Sequence, residues 1–142
     1  MKISAKIDYA CRALLELSLH WPNTSPLQIN TIAKRQNIPV KFLTHILINL
    51  KQLGLVQSVR GQSGGYRLVK EPKAIKLSEL VGNFDGTISQ SLQGKDNLSQ
   101  RHVLNSVWRE IDEIILKTMD NINFETICNR KRSKDNVVMF EI

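Results

Sequence analysis

Apolar residues along the first fifty positions recur at helical steps, broken by clear punctuation. Ile3, Ile7, Ala10, Cys11, Leu14 and Leu17 fall three or four residues apart, which predicts a helix over 3–20. Leu15 widens that stripe, while Arg12, Glu16 and Ser18 lie off it. Trp21-Pro22-Asn23-Thr24-Ser25-Pro26 ends the helix, because two prolines so close together cannot continue it. Asn30 is placed to cap a short helix, Thr31 to Gln36, with Ile32 and Ala33 facing inward. Asn37-Ile38-Pro39 reads as a turn, and Pro39 suits the first position of a helix from about Val40 to Leu53. There Leu43, Ile46, Leu47, Leu50 and Leu53 form one apolar stripe, and Gly54 stands where a left-handed C-cap is expected. The opposite face carries Lys41, Thr44, His45, Ile48 and Gln52. Two short helices joined by a tight turn make a helix-turn-helix pattern.

The period then changes. Leu55 to Arg60 partly alternates and reads as a strand, Gly61-Gln62-Ser63-Gly64-Gly65 as a loop, and Tyr66 to Val69 as the returning strand. A hairpin directly after a helix-turn-helix is a wing. Ser78 can cap a short helix through Phe84. The mostly polar stretch 87–99 shows no period and reads as a loop. Residues 100–121 predict a helix of roughly 33 Å at about 1.5 Å per residue. Its stripe of Leu104, Val107, Trp108, Ile111, Ile114, Ile115 and Met119 is near-heptad, with Val103 and Leu116 alongside. That is a wide apolar face for a helix with so little chain around it. Asn123 can cap a last turn, Phe124 to Cys128. The basic run Asn129 to Lys134 then reads as a mobile tail, and Val137 to Phe140 as a short strand or loose chain.

The expected fold is therefore mainly α with a small β-hairpin wing. A winged helix-turn-helix domain spans 1–84, a loop 85–99, a long dimerisation helix and its following turn 100–128, and a basic tail 129–142. The long helix can pack on the first helix, on a second chain, or on both.

Charge sharpens this picture. The 142 residues carry a formal net charge of +7, and the excess is not spread evenly. Residues 1–76 hold 12 Lys/Arg against 3 Asp/Glu, whereas 77–142 hold 8 against 10. The basic half is the one with the helix-turn-helix and wing, as a polyanion-binding module requires. An apolar share of 42% and a charged share of 23% are ordinary for a folded domain, which argues against disorder over the whole length. No stretch approaches the ~20 consecutive apolar residues of a membrane span, and the N-terminus does not read as a signal peptide, so a cytoplasmic, membrane-free protein is expected.

Double-stranded DNA is the partner this pattern fits best. A helix of this kind enters the major groove with its N-terminal residues toward base edges. Lys41 can reach a guanine edge or a phosphate, Thr44 offers a hydroxyl and a methyl, and His45 can hydrogen-bond a base or a phosphate. Ile48 faces either a thymine methyl or a neighbouring helix. Arg60, Arg67 and the backbone of Gly61, Gly64 and Gly65 would hold the DNA backbone or enter the minor groove. Tyr66 is expected to pack the base of the wing. Catalysis has little support. His20, His45 and His102 show no zinc spacing, and there is no phosphate loop or nucleophile elbow. Glu110 and Glu113 lie beside Arg109 and Lys117 in solvated helical pairs. Cys11 sits on an apolar stripe as a small buried hydrophobe, and Cys128 follows an apolar turn. A winged helix that docks an acidic protein is the alternative from another class. A redox- or metal-responsive regulator using Cys11, Cys128 or His102 is a third.

The residues also resemble a known family. Met1 to Ala10 with Arg12-Ala13-Leu14-Leu15-Glu16-Leu17, then Ile32 to Ile38, then Leu53 to Gly61 and Gly64-Gly65-Tyr66-Arg67-Leu68, are similar to the opening helix, second helix and wing of the Rrf-type bacterial transcription regulators, which include IscR, NsrR and CymR. The resemblance is dense over 1–84 and looser over Val107 to Glu110 and Asn123 to Cys128. It implies a homodimer held by the long helix and repression, sometimes activation, at a near-palindromic operator. It also implies that Thr44 and His45 read bases and that Arg60 is a wing contact. Thr44 departs from the glutamate found there in IscR, so that operator preference does not transfer. Cluster-binding members carry three cysteines in the loop before the long helix. Here Asp85 to Arg101 has none, so the three-cysteine iron–sulfur site is absent and no cofactor is expected. Asp8 stands where one relative supplies a carboxylate ligand, without its companions. CymR-like members answer to a protein partner or to thiol oxidation, which leaves the effector, protein or small molecule, open.

Overall fold

The computed structural model describes residues 3–85 and 102–140. It has six helices and one hairpin among these: α1 (Ala5–His20), α2 (Ile29–Gln36), α3 (Val40–Gln52), β1 (Val56–Val59), β2 (Gly65–Leu68), α4 (Leu77–Asp85), α5 (His102–Asp120) and α6 (Phe124–Phe140), with a 3-10 turn at Pro72–Ala74. The mainly helical winged helix-turn-helix expected from the pattern is what the chain forms. The loop expected at 85–99 lies, beyond Asp85, outside the described residues.

α1 is the post around which the rest is built. Ser4 caps it, its hydroxyl accepting from Ile7 N–H at 3.2 Å. Ala10, Ala13 and Leu14 are wholly buried, and α2, α3, α4 and α6 all pack on this one helix. The small alanines let neighbouring backbones come close. Glu16 and Ser18, which the apolar pattern leaves on an outer face, are buried too, because α2 and α6 cover the side that the stripe does not. Glu16 accepts a hydrogen bond from Gln36 Nε2 at 2.7 Å and faces Arg35 Nη1 at 3.6 Å, so its charge is not left bare.

The turn between α2 and α3 needs a left-handed residue, and Asn37 takes φ +52 there, its N–H bonded to Ala33 O. Gly54 does the same after α3 at φ +73. α2 starts earlier than the sequence suggests. Its cap is Gln28, not Asn30, because Leu27 is held by two backbone hydrogen bonds to Tyr66 and the helix begins directly behind that anchor. The hairpin pairs Val56 with Leu68 and Val59 with Gly65. Tyr66 is half-buried against the core, as expected.

The C-terminal part corrects the reading of a basic tail. Residues 129–140 continue α6 as one helix rather than trailing as mobile chain or adding a strand. Arg130 to Lys134 contains no glycine or proline, and Lys131 pairs with Asp135 one turn on at 3.2 Å. The first turns of α6 are nucleated by docking. Phe124 is wholly buried in the same core as α1 and α3. Phe124 N–H bonds Ile75 O, and Leu77 N–H bonds Ile122 O, which stitches the α5–α6 connection to the segment after the wing. Helix formation from a fixed nucleus needs only one further bond per residue. α6 thus belongs to the winged-helix core. α4 begins at Leu77, and Ser78 donates its hydroxyl to Asp120 on α5 instead of capping.

Gly65 shows how tightly the wing is seated. Its φ is +156, and a Cβ there would fall inside 3.0 Å of the Leu27 carbonyl and the Gln28 nitrogen, all backbone. Gly65→Ala is expected to destabilise the fold by about 2 kcal/mol or more, from backbone strain and the lost Leu27–Tyr66 bridge. Urea denaturation of the variant checks this, and an unchanged midpoint would contradict it.

Candidate nucleic-acid interface

The buried stripe of α3 fixes its outer face. Leu43, Ile46, Leu47 and Leu50 are all in the core, so Lys41, Thr44, His45 and Ile48 emerge together on the other side, one and two turns apart. Lys41 and His45 are exposed and Thr44 half-exposed. Thr44 Oγ1 donates back to Val40 O at 2.9 Å, so its oxygen lone pairs and its methyl remain to meet a base. Ile48 is 45% exposed, so much of its side chain is open to a partner. Phe42, 57% exposed at the N-terminal end of α3, was not singled out by the pattern. Its ring lies 6.3 Å from that of Tyr9. A large aromatic beside Lys41, Thr44 and His45 was the available signal.

The wing supplies a second edge. A cleft of about 430 Å³ runs between the first turn of α2 and the hairpin tip, lined by Gln28, Ile29, Asn30, Arg60, Gly61 and Gln62 among others. The N–H groups that open a helix lack intrahelical partners and attract anions. Arg60 is exposed at the lip of this cleft. Gly61 takes φ +116 with open space around it, so the tip backbone can approach a partner closely. The cleft brings the opening turn of α2 and Arg60 together, a combination able to hold a phosphate chain.

Three of the expected contacts also have structural roles. Arg67 turns away from the tip. Its Nη1 donates to Thr24 O at 3.1 Å, and its Nη2 reaches Gln57 at 2.8 Å once the carboxamide oxygen is assigned to face the guanidinium. It ties the hairpin to the loop after α1. Gly64 and Gly65 are explained by backbone crowding against Val59, Gly61 and Leu27. Lys51, on the last turn of α3, bonds Ser58 Oγ at 3.0 Å and braces the wing against that helix.

On α5, Leu104, Val107, Trp108, Ile111 and Ile114 stand exposed in a row, with Val103 and Leu116 beside them. Ile115 departs from that set. It turns inward with Met119 against Ile7 and Val81, which is how α5 leans on α1 and α4.

Neither cysteine lies in a group of three potential metal ligands among the described residues. Cys11 is half-buried on α1, where burial and the nearby Asp8 carboxylate push its thiol up to about 11. Cys128 is buried on α6, and burial, stronger than the opposing pull of Arg132, raises its thiol as well. Both thiols therefore favour the protonated form near neutral pH. Among the described residues no three His, Cys, Asp or Glu side chains converge. The donor set does not fit a thiolate-ligated cluster. The side chain of His102, at the start of α5, lies outside the description.

A winged helix with a polar recognition face and a basic wing is a DNA-binding module. The family model described as "Rrf2: Iron-dependent Transcriptional regulator" matches residues 3–130, and the chain belongs to this family of transcriptional regulators, which are not enzymes. A protein of Synechocystis sp. named for an HTH-type transcriptional regulator is 33% identical over 135 residues, 94% of this chain and 91% of that one. Among solved structures, the chain is similar to T. potens IscR, with TM-score 0.77 and 30% identity over 92% of this chain and 88% of that one. It is equally similar in shape to CymR (YrzC), "the Global Cysteine Regulator of B. subtilis", with TM-score 0.77 and 27% identity over 92% and 98%. Among the described residues no helix is long and apolar enough to cross a membrane.

Arg60 and Arg67 separate by experiment. Arg60→Ala should lower the salt slope of DNA binding by about one and leave the melting temperature unchanged. Arg67→Ala should lower the melting temperature by several degrees, since it frees the Thr24 carbonyl and unfastens the wing. Fluorescence-anisotropy titrations at several salt concentrations, with thermal melts, read both.

Proposed function

We propose that this chain is a cytoplasmic homodimeric repressor that binds a near-palindromic DNA operator. The exposed stripe of α5 carries the reading. A row of apolar residues at 104, 107, 111 and 114 repeats every three and four positions, the spacing that a second helix covers by knobs-into-holes packing. A stripe of that length is costly to leave in water, and a second copy of α5 is the surface that matches it residue for residue. Two copies joined there present two recognition helices related by a two-fold axis. Their half-sites then lie about one helical turn apart, ~34–36 Å, or a multiple of it.

Lys41, Thr44, His45 and Ile48 read bases, while Arg60, Gly61 and the opening turn of α2 hold phosphates. Occupancy of an operator that overlaps a promoter blocks the polymerase, which is why repression is the proposed output. The regulator works without the three-cysteine cluster, so the purified protein is colourless.

Two measurements test this. In sedimentation equilibrium the protein should be a dimer at micromolar concentration, and Trp108→Glu should yield a folded monomer that loses most of its operator affinity. A wild-type monomer would contradict the role of α5. Against a randomised operator library, Thr44→Ala and His45→Ala should each relax preference at one base pair per half-site, by roughly 1–3 kcal/mol. An unchanged preference would remove α3 as the reading helix.

A further inference from the structure

A second cleft, of about 180 Å³, lies where α1, the 3-10 turn and α6 meet, and the DNA reading makes no use of it. Its floor holds two buried groups. Ser18 is 2% exposed, and its hydroxyl has no hydrogen-bond partner. Cys128 is 2% exposed, with its thiol held protonated by burial. A buried hydroxyl without a partner costs roughly 1–3 kcal/mol, so the site holds an unmet demand for a polar ligand atom.

The rim is charged in both signs. Glu125, Cys128 and Arg132 recur at steps of three and four along α6, so one face of that helix carries an acid, the thiol and a base toward the cleft. The 3-10 turn and the residue before it add Lys73 and Glu71 from the other side. Among the described residues these two acids and two bases make no ion pair with one another. Among the described residues Arg132 donates to Asn129 Oδ1, at 3.4 Å. Trp21 and Pro72 give apolar wall.

That combination selects by elimination. A simple anion would meet Glu71 and Glu125, and a simple cation would meet Lys73 and Arg132. A small neutral apolar molecule would leave Ser18 unmet. A ligand with one carboxylate and one ammonium a few ångströms apart satisfies both walls at once, and the volume limits the rest of it to a short side chain. We propose that this cleft binds a free α-amino acid of small side chain, with its carboxylate toward Arg132 and Lys73, its ammonium toward Glu125 and Glu71, and a polar atom on the Ser18 hydroxyl. Such a ligand bridges the end of α1, the segment that follows the wing, and α6. It therefore fastens α6 to the winged helix, a site separate from both the DNA face and the α5 stripe.

The test is a thermal-shift and calorimetric screen of the full chain against the proteinogenic α-amino acids. Matched N-acetyl and methyl-ester derivatives serve as controls. At least one small amino acid should raise the melting temperature in a saturable way, while its N-acetyl and ester forms do not. Arg132→Gln and Glu125→Gln should each weaken binding by about tenfold or more, a loss of about 1.4 kcal/mol or more. Ser18→Ala should weaken it while leaving the unliganded protein as stable as before or more so, because the unmet hydroxyl is gone. The proposal is overturned if no amino acid shifts the melt at millimolar concentration, which would leave a water molecule as the partner of Ser18. It is equally overturned if binding survives the Arg132 and Glu125 changes, or if the blocked derivatives bind as well as the free amino acid.

Discussion

Everything in this molecule depends on α1 being enclosed by other helices on more than one side. A surface helix buries one stripe, and its polar residues then face water. α1 instead buries Ala10, Ala13, Leu14 and Leu17 against α2 and α3, and also takes Glu16 and Ser18 out of solvent. A carboxylate there is tolerable only because α2 delivers the Gln36 amide at 2.7 Å and the Arg35 guanidinium at 3.6 Å. Removing either partner would leave a charge poorly compensated inside the domain, a far larger penalty than the pair itself contributes. The same contact fixes the rotation of α2 about its axis, since Arg35 and Gln36 end that helix just before the left-handed turn at Asn37. The direction of α3 follows from that turn. A buried polar pair on α1 thus sets the angle at which the recognition face leaves the core.

The wing is positioned by a separate set of constraints that converge on the start of α2. Leu27 and Tyr66 exchange two backbone hydrogen bonds, Gly65 permits that approach by lacking a Cβ, and Arg67 fastens the hairpin to Thr24. Lys51 adds a brace from α3 through Ser58. The hairpin is only four residues a strand, too short to be stable by itself in water. Its anchors tie it to the start of α2 and the end of α3. Rigidity matters for reading DNA, because a recognition helix and a wing that moved independently would pay ordering entropy on binding. Arg67 fastens the hairpin that carries Arg60 and the tip.

The sequence made the reading head legible because that part of the fold obeys local rules. The apolar stripe of α3, the turn at Asn37, Gly54 and the glycine-rich tip each announce themselves within a few residues. What it hid depends on contacts distant in the chain. Glu16 and Ser18 look solvent-facing until α2 and α6 cover them. Asn30 is the better cap by type, yet Leu27 and Tyr66 place the helix start two residues earlier. Arg67 resembles a phosphate contact in the pattern and becomes a fastener only when Thr24 and Gln57 are folded beside it. Arg130 to Lys134 has no apolar period, so nothing local marks it as helix. The helix exists because Phe124 docks in the core and the chain beyond it meets no breaker.

α5 and α6 then divide the surface between two kinds of demand. α5 leans on the core through Ile115 and Met119 and keeps its remaining apolar residues outward, so its unmet demand is for apolar area. α6 is sealed to α1 and to the 3-10 turn; Val137, Val138 and Met139 stand exposed toward its far end, whereas its first turns carry Glu125 and Arg132 on either side of Cys128 at the small cleft. Apolar area over a long helix face is met by another helix, whereas two opposed charges around a small cleft are met by a small molecule. The proposed dimer face and the proposed ligand cleft therefore fall on different helices joined by the Ile122–Phe124 connection, which is itself hydrogen-bonded to the segment after the wing. Any force that shifts α6 on α1 acts at once on that connection. It reaches both the base of the wing and the end of the helix proposed to hold two subunits at operator spacing.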